Sequence, residues 1–264
     1  MVSQILTPLF VPANRPDRFA KAAASGADAV ILDLEDAVAP ADKDMVRASL
    51  DAGFTDLPVI VRINAKGTPW HQADLDALRG KGFAAVMLPK AECPKAVAEV
   101  IAALPDLPLI ALIESAAGLA QARAIAAVPG VARLAFGSVD FCADLGSAHL
   151  RDVLLPARFE LVLASRLAGL SAPIDGVTVQ LDDPQVSAED ASHARDLGMS
   201  GKLCIHPKQI AAIHGAFAPS EEDLDWARRV LASGEGAVSI DGAMVDEPVR
   251  MRARRLLAMA NLTD

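Results

Sequence analysis

Cysteine is scarce in this 264-residue chain, and a paired-cysteine motif is missing altogether. The three cysteines, Cys93, Cys142 and Cys204, lie far apart and form no CxxC pair. This pattern predicts buried free thiols and a reducing compartment. An excess of basic residues is missing too, because the formal net charge is −9. Nucleic acid is therefore not expected as the main partner, since phosphate neutralisation requires a basic surface.

Long apolar stretches are also lacking. No apolar run reaches the roughly 18 residues of a membrane-spanning helix. The N-terminal segment "MVSQILTPLFVPANRPDRF" lacks the basic start and long apolar stretch of a signal peptide, and we therefore predict a cytoplasmic protein. The chain is rich in hydrophobic residues, at 52%, with 22% charged residues. This composition predicts a large core, and the length suits a single α/β barrel.

Short apolar runs alternate with alanine-rich helical patterns along most of the chain. The runs are nearly continuously hydrophobic, as in strands that are covered on both faces. Eight occur, at residues 6–13, 29–36, 58–64, 84–90, 108–115, 133–141, 175–180 and 202–207. Helices are predicted between them, for example over 15–25, 94–104 and 115–128. The pattern predicts a (β/α)8 TIM barrel. A doubly wound open sheet is the alternative, but no GxGxxG motif follows the first run.

The chain continues beyond what a barrel requires. Segment 220–236 has acids in its first turn and arginines further along, which suits a helix dipole. The stretch "SIDGAMVD" predicts a small hairpin with Asp-Gly at its turn, and "EPVRMRARRLLAMA" predicts a final amphipathic helix. We expect a catalytic TIM barrel over 1–220 and a C-terminal helical appendage over 221–264 that packs on a neighbouring subunit.

Acidic residues directly follow the second apolar run, in "VILDLEDAV" (30–38). Charge is costly in a core, so these acids mark either the end of a strand or a site. In TIM barrels the active site lies at the carboxyl ends of the strands. The other runs also end in polar residues, namely Arg62, Asn64, Lys90, Glu114, Ser115, Asp140 and His206. We therefore predict that Asp33, Glu35 and Asp36 lie at the mouth of the barrel.

Glu114 and Asp140 are candidate metal ligands. Each is a lone carboxylate after an apolar strand, and two carboxylates with water and substrate oxygens suit Mg²⁺. The alternative is that each acid caps the helix that follows its strand, and Ser115 is itself a candidate cap.

Arg62 is a candidate anion-binding residue, because its planar guanidinium suits a substrate carboxylate. A structural salt bridge to Glu35 or Asp36 is the alternative, and the two roles are compatible. Such a bridge would orient the guanidinium.

Arg15, Arg18 and Lys21 lie near a predicted helix start, where cations and backbone N–H groups attract phosphate. Ordinary surface charge is the alternative for this cluster. His206 is either a ligand, a base or a hydrogen-bonded structural residue. The histidines have no zinc spacing, and no GxSxG motif supports a covalent acyl-enzyme.

Eight stretches, taken in order, resemble those of one protein family. They are "LFVPANRPDRFAKA", "VILDLEDAVAPADK", "VIVRIN", "VMLPKAE", "LIESAAGL", "FGSVDFCADLG", "GKLCIHPKQI" and "GAMVDEPV". The chain resembles the citrate lyase β-subunit-like (CitE-like) proteins of the HpcH/HpaI aldolase and malyl-CoA lyase superfamily. The resemblance runs from about residue 6 to 250 and implies a TIM barrel with one Mg²⁺ ion per active site.

The resemblance also implies roles for particular residues. Glu114 and Asp140 would hold the metal, with Glu114 beside the substrate, and Arg62 would bind the carboxylate of a small oxo or hydroxy acid. Asp246 would cross to the active site of the next subunit as acid or base, which implies a homotrimer or a multiple of trimers. Glu35 and Asp36 are assigned as groups that orient Arg62 and metal-bound water. Coenzyme A would contact Phe10, Arg15, Lys21, Ile205, His206 and Pro207.

The activity that the resemblance implies is cleavage or formation of a short 3-hydroxyacyl-CoA, such as malyl-CoA or citramalyl-CoA, with acetyl-CoA and a 2-oxo acid as the fragments. Three alternatives stay open: a (3S)-malyl-CoA-type thioesterase, a citrate lyase β subunit that acts on a carrier-protein thioester, and a non-catalytic metabolite-binding protein. The stretch 147–170 lacks the longer insertion of dedicated malyl-CoA lyases, and "LEDAV" lacks the histidine of the non-CoA aldolases. The second departure argues against a simple pyruvate aldolase.

Overall fold

The computed structural model describes residues 2–234, 236, 238–240 and 242–263. The chain divides into two compact units, Met1–His214 and Gly215–Asp264. Among the described residues, none of the helices combines the length and the apolarity that crossing a membrane requires.

Six parallel strands form the sheet of the first unit, in the order of the chain. They are β1 (Pro8–Pro12), β2 (Ala29–Asp33), β3 (Val59–Arg62), β4 (Ala85–Leu88), β5 (Leu109–Ile113) and β6 (Val131–Phe136). Every residue of β2, β4 and β5 is buried, because helices cover the outer face and side chains fill the interior. The continuous hydrophobicity of these runs in the sequence has this physical cause.

Two short segments continue the ring from β6 back to β1. Ala135 forms a parallel bridge with Ile174, Asp175 forms one with Lys202, and Leu9 forms one with Cys204. Backbone hydrogen bonds accompany them, such as Phe136 N–H to Ile174 O at 2.9 Å. The seventh and eighth predicted strands are therefore single bridges rather than regular strands, and the predicted TIM barrel is confirmed as the architecture.

Buried charged side chains accompany apolar packing in these last two segments, from which Ile174 and Leu203 contribute to the barrel core. Asp175 accepts hydrogen bonds from Arg158 Nε at 2.7 Å and from Lys202 Nζ at 2.9 Å. Lys202 Nζ also donates to the carbonyl of Gly176 at 2.7 Å. The ion pair between Asp175 and Lys202 thus adds to the backbone hydrogen bonds between the two segments, such as Leu203 N–H to Asp175 O at 2.9 Å.

Helices connect and follow the strands. They are α1 (Phe19–Ala23), α2 (Lys43–Ala48), α3 (His71–Leu78), α4 (Pro94–Ala103), α5 (Ala116–Ala120), α6 (Ala122–Ala126), α7 (Ser138–Leu145), α8 (Arg151–Leu167), α9 (Pro184–Asp196) and α10 (Ile210–Phe217). The single helix predicted over 115–128 is instead α5 and α6, separated at Gln121, whose φ of −106° and ψ of 4° depart from helical geometry. Of the helix predicted over 15–25, the first turn is a 3₁₀ helix, Pro16–Arg18.

The second unit contains the predicted hairpin and helices. It consists of α11 (Glu221–Ala232), β7 (Val238–Ile240), β8 (Ala243–Val245) and α12 (Glu247–Thr263). The two strands pair antiparallel, and Ala227, Val230, Val245 and Ala253 form its buried cluster. Asp241, at the predicted turn, lies outside the described residues.

Candidate active site

A cavity of about 420 Å³ lies at the carboxyl ends of the barrel strands. Its polar side contains Asp33, Asp36, Arg62, Glu114 and Asp140, which follow or end β2, β3, β5 and β6. Its apolar side contains Phe10, Phe136, Val177, Leu203 and Ile205. Five of the residues predicted at the strand ends thus line one pocket that has a charged wall and an apolar wall, whereas Glu35, Asn64, Lys90, Ser115 and His206 are not part of its lining.

Arg62 is fixed on the charged wall by the strand register. Asp33 and Arg62 are paired positions on β2 and β3, and Arg62 Nε and Nη2 donate to the two Asp33 oxygens at 2.8 and 2.7 Å. Glu35 Oε2 lies 3.2 Å from Arg62 Nη1, and the Phe10 ring lies 4.9 Å from the guanidinium carbon. Burial lowers the pKa of Arg62, but the hydrogen bonds and charge of Asp33 outweigh it and raise the pKa above its ordinary value. Arg62 therefore stays cationic beside the pocket.

Glu35 connects Arg62 to a second cation. Its Oε1 accepts a hydrogen bond from Lys90 Nζ at 2.7 Å, and its side chain is 7% exposed. Burial raises the pKa of Glu35 above its ordinary value, although Arg62 and Lys90 oppose this effect. Asp36 lies on the pocket wall instead. The predicted salt bridge to Arg62 is thus made by Asp33 and Glu35.

Glu114 directly follows β5, and only one of its two carboxylate oxygens has a hydrogen-bond partner among the described residues. Its Oε1 accepts the Lys90 N–H at 2.8 Å, while Oε2 is buried without a hydrogen-bond partner among the described residues. Burial, with a contribution from Glu35, raises the pKa of Glu114 to about 8. A buried carboxylate with an unpaired oxygen requires a cation or a proton to offset its desolvation.

Asp140 lies in the first turn of α7, on the same pocket wall as Glu114. Gly137 lies between the two acids in the sequence, and a Cβ atom there would approach Glu114 Oε2 to 2.5 Å. Only glycine therefore permits this approach of the β6 end to Glu114. The helix-cap alternative is not observed for Glu114, because Ser115 caps α5 by accepting the Gly118 N–H at 3.1 Å.

The donors present fit a hydrated divalent cation. The described part of the chain contains no group of three or more His, Cys, Asp or Glu side chains that could enclose a metal ion. Two carboxylates on one wall, one of them with an unpaired oxygen, instead suit Mg²⁺, which keeps several water ligands. Carboxylates also outnumber cations at the mouth, where Asp33, Glu35, Asp36, Glu114 and Asp140 face Arg62 and Lys90.

The residues predicted for coenzyme A divide into two sets. Phe10 and Ile205 line the pocket. Arg15 follows β1 and binds Asp17 through two hydrogen bonds of 2.9 and 2.7 Å, and Lys21 is exposed on α1. His206 Nδ1 accepts the Lys208 N–H at 3.1 Å, and Pro207 begins the 3₁₀ turn that His206 caps. His206 thus makes the hydrogen bond of a structural residue next to Ile205, and its contact with coenzyme A stays a prediction.

Asp246 belongs to the second unit. It lies between β8 and α12, is half-buried, and accepts the Val249 N–H at 3.3 Å. Its reach to the site of another subunit stays a prediction.

Two further contacts near the pocket were not predicted from the sequence. Lys43 is buried under the acidic loop and donates to Leu34 O at 2.6 Å, Glu35 O at 2.7 Å and Asn64 Oδ1 at 2.7 Å. Burial lowers its pKa below the ordinary value. Ser138, on the pocket wall, lies 2.9 Å from His149 Nε2. Lys43 contacts residues 8, 9 and 21 positions away, and Ser138 lies 11 positions from His149. No periodic pattern in the sequence signals these contacts.

Comparison with known proteins agrees with this geometry. The family model described as HpcH/HpaI aldolase/citrate lyase matches residues 6–207. A citrate lyase subunit beta-like protein of Mycobacterium tuberculosis is 43% identical over 263 residues, which cover 96% of this chain and 94% of the relative. A (3S)-malyl-CoA thioesterase of Cereibacter sphaeroides is 34% identical over 266 residues, with 96% and 93% covered.

A solved structure extends the likeness to three dimensions. The crystal structure of CitE from Mycobacterium tuberculosis in complex with magnesium, acetoacetate and coenzyme A has a TM-score of 0.86 and 40% sequence identity. The match covers 97% of this chain and 98% of that chain. The resemblance noted in the sequence is confirmed, and the chain belongs to the HpcH/HpaI aldolase/citrate lyase family.

Proposed function

We propose that this chain is a Mg²⁺-dependent carbon–carbon lyase that cleaves or forms a short 3-hydroxyacyl-CoA, such as malyl-CoA or citramalyl-CoA. The products of cleavage are acetyl-CoA and a 2-oxo acid. One observation carries the proposal: a single pocket combines a held arginine, two carboxylates suited to Mg²⁺ and an apolar wall. The CitE relative with bound magnesium, acetoacetate and coenzyme A supports the same ligands here.

Glu114 and Asp140 would hold the Mg²⁺ ion. The unpaired Oε2 of Glu114 supports this assignment, since a cation would compensate the buried charge. When bound, the ion supplies Lewis-acid stabilisation of negative charge on the substrate oxygens.

Arg62 would bind the carboxylate of the oxo acid. Asp33 and Glu35 restrict the guanidinium to one orientation, which reduces the entropy lost when the substrate binds. Asp36, on the pocket wall, would orient water near the metal.

The apolar wall would carry the thioester arm toward the mouth. Phe10 and Ile205 line this wall, and His206 and Pro207, which follow Ile205 in the chain, would extend the contact with coenzyme A. Arg15 and Lys21 follow β1 and would meet the charged nucleotide part of coenzyme A. Because Arg15 already binds Asp17, its contact with phosphate would have to replace or share that pair.

In cleavage, the bond between the hydroxyl-bearing carbon and the carbon next to the thioester breaks. The hydroxyl gives its proton to a water molecule and becomes the oxo group, and the electron pair of the broken carbon–carbon bond moves to the acetyl-thioester fragment as an enolate. Asp246 of a neighbouring subunit would donate a proton to that carbon, or remove one in the reverse direction. This role requires an oligomer, and the family resemblance implies a homotrimer or a multiple of trimers.

Exchange of the acetyl-CoA methyl protons tests Asp246 separately. Asp246→Asn is expected to slow exchange into deuterated water by about 10²- to 10⁴-fold and to leave the Kd of coenzyme A unchanged. Unaltered exchange in the variant would remove Asp246 from the reaction.

A thioesterase is the second candidate, because a relative of that name is 34% identical over nearly the full length. Water would then attack the thioester carbonyl and release free coenzyme A with the hydroxy acid.

Product analysis distinguishes the two activities. Purified protein is incubated with Mg²⁺ and malyl-CoA or citramalyl-CoA, with and without EDTA. The lyase yields acetyl-CoA with glyoxylate or pyruvate, whereas the thioesterase yields free coenzyme A with malate or citramalate. If neither reaction occurs, the free-CoA proposal is wrong, and a carrier-protein thioester or a non-catalytic binding role becomes the next hypothesis.

A further inference from the structure

Lys90, directly after β4, has an unusual backbone conformation. Its φ is +47°, and it is the one residue other than glycine with a positive φ in the described part of the chain. Side chains disfavour this left-handed region, and such conformations persist where the surroundings enforce them.

Two backbone hydrogen bonds account for the conformation. The N–H of Lys90 donates to Glu114 Oε1 at 2.8 Å, and the N–H of Ala91 donates to the Leu112 carbonyl at 3.2 Å. Both bonds join the end of β4 to β5, and the first orients the candidate metal ligand. Glycine would make them without the steric cost, so they do not explain why a lysine occupies the position.

The Lys90 side chain forms ion pairs with two carboxylates of the site. Lys90 Nζ lies 2.7 Å from Glu35 Oε1 and 3.8 Å from Glu114 Oε1. The Lys90 ammonium therefore lies next to Glu35, which pairs with Arg62, and next to Glu114, whose Oε2 is unpaired. The Lys90 side chain is 44% exposed, whereas those of Glu35 and Glu114 are 7% and 1% exposed.

We propose that Lys90 sets the balance of cation and anion binding in the pocket. Its ammonium weakens the binding of the divalent cation at Glu114 and strengthens the binding of the substrate carboxylate on the charged wall. This inference rests on the proposed function, because it takes the Mg²⁺ ion and the oxo acid as the two ligands.

The sign of each effect follows from Coulomb interactions. A positive charge about 4 Å from a metal-binding carboxylate repels an incoming divalent cation and attracts an incoming anion. Because the ammonium is half-exposed, solvent screens both effects to a moderate size. If Lys90 had only a structural role, its removal would instead weaken the binding of both Mg²⁺ and the oxo acid, because the side chains of the charged wall would lose their fixed positions.

The test measures two dissociation constants by calorimetry on full-length protein freed of metal: Mg²⁺ alone, and then pyruvate at saturating Mg²⁺. Lys90→Met is expected to lower the Kd of Mg²⁺ by about three- to tenfold and to raise the Kd of pyruvate by a similar factor. Lys90→Gly should give the same two shifts, because it removes the ammonium while it keeps the backbone bonds. Lys90→Arg should stay within about twofold of wild type for both ligands.

Lys66→Met is the matched control. Its side chain has nearly the same exposure, 43%, but it pairs with Glu99, so both Kd values should stay unchanged. If Lys90→Met and Lys90→Gly bind Mg²⁺ as wild type does or more weakly, the inference is wrong.

Wild-type turnover is assayed separately: opposite Kd shifts without lyase activity would retain this role for Lys90 and refute the lyase. Lyase turnover without the Kd shifts would support the lyase and refute the role of Lys90. A wild-type protein that binds no Mg²⁺ would refute both proposals.

Discussion

Two arginines, one partly buried and one fully buried, mark the opposite ends of the barrel and have opposite electrostatic surroundings. Arg62, at the carboxyl end of β3, is held by the carboxylates of Asp33 and Glu35, and its pKa is raised. Arg133, in β6, lies toward the amino ends of the strands, and burial lowers its pKa. Its hydrogen bonds go to the carbonyls of Val2, Ile5, Ala172 and Ser200 and to the Ser200 hydroxyl.

The difference separates a structural end from a functional end. Arg133 is fully buried, and carbonyl dipoles from three chain segments satisfy its guanidinium, so it joins the segments that precede the ring. At the other end, Glu114 keeps an unpaired oxygen and Lys90 a strained backbone. Folding alone does not stabilise such features, and they are typical of sites that bind a ligand.

The largest effect is expected from removal of the candidate metal ligands. Glu114→Ala and Asp140→Ala should each lower Mg²⁺-dependent kcat by about 10³-fold or more, because the lost Lewis-acid stabilisation amounts to several kcal/mol. Steady-state kinetics with malyl-CoA measures this, and circular dichroism checks that the fold is retained. Full activity in either folded variant would refute the metal assignment.

Removal of the guanidinium at the structural end should act on stability instead. Arg133→Met leaves buried carbonyls without donors and should lower the free energy of unfolding by about 3 kcal/mol. Urea denaturation measures the loss, and calorimetry on the folded variant should give an unchanged Kd for Mg²⁺. A large change in that Kd with normal stability would contradict the separation of the two ends.

Arg62→Lys tests the functional end by a smaller change. Lysine keeps the charge but loses the planar fork that binds Asp33 and a substrate carboxylate together. We expect kcat/KM to fall on the order of 10- to 100-fold, mostly through KM, in an assay at saturating Mg²⁺. A variant with wild-type KM would remove Arg62 from carboxylate binding.

The sequence predicted the functional end better than the structural end. Carboxyl ends of neighbouring strands meet at one edge, so runs that end in Arg62, Glu114 and Asp140 could be assigned to one mouth before any coordinates. The first six runs became β1 to β6 because continuous apolar stretches need cover on both faces. The last two form single bridges instead, and the ion pair between Asp175 and Lys202 that joins them is a contact across 27 residues that no local pattern reveals.

The unpredicted parts of the pocket depend on tertiary geometry in the same way. Lys90 was visible as a polar residue after a strand, but its contact with both Glu35 and Glu114 depends on a φ of +47°. Likewise, Lys43 reaches the Leu34 and Glu35 carbonyls only because the chain turns back between β2 and α2. A buried lysine that donates hydrogen bonds to the backbone of an acidic loop has no sequence signature of its own.

The smallest effect concerns pH and a pair at the structural end. The hydrogen bond to Asp28 raises the pKa of His214 above its ordinary value of 6.5, and Thr7 Oγ1 lies 2.7 Å from the same ring nitrogen. A raised pKa means that the pair stabilises the fold fully below pH 6.5 and loses this contribution as pH rises through the folded-state pKa. Asp28 has a lowered pKa, so its share is lost only at acidic pH, below its ordinary value.

His214→Gln tests this pair by urea denaturation at about pH 5.5 and pH 8.5. Because both side chains are about one-third exposed, we expect wild type to exceed the variant by only about 0.5 kcal/mol at the lower pH, with less difference at the higher pH. Added salt should reduce the difference at the lower pH, since an exposed ion pair is screened. A difference that stays the same at both pH values would assign the stabilisation to the Thr7 hydrogen bond, because that bond needs no charge on His214.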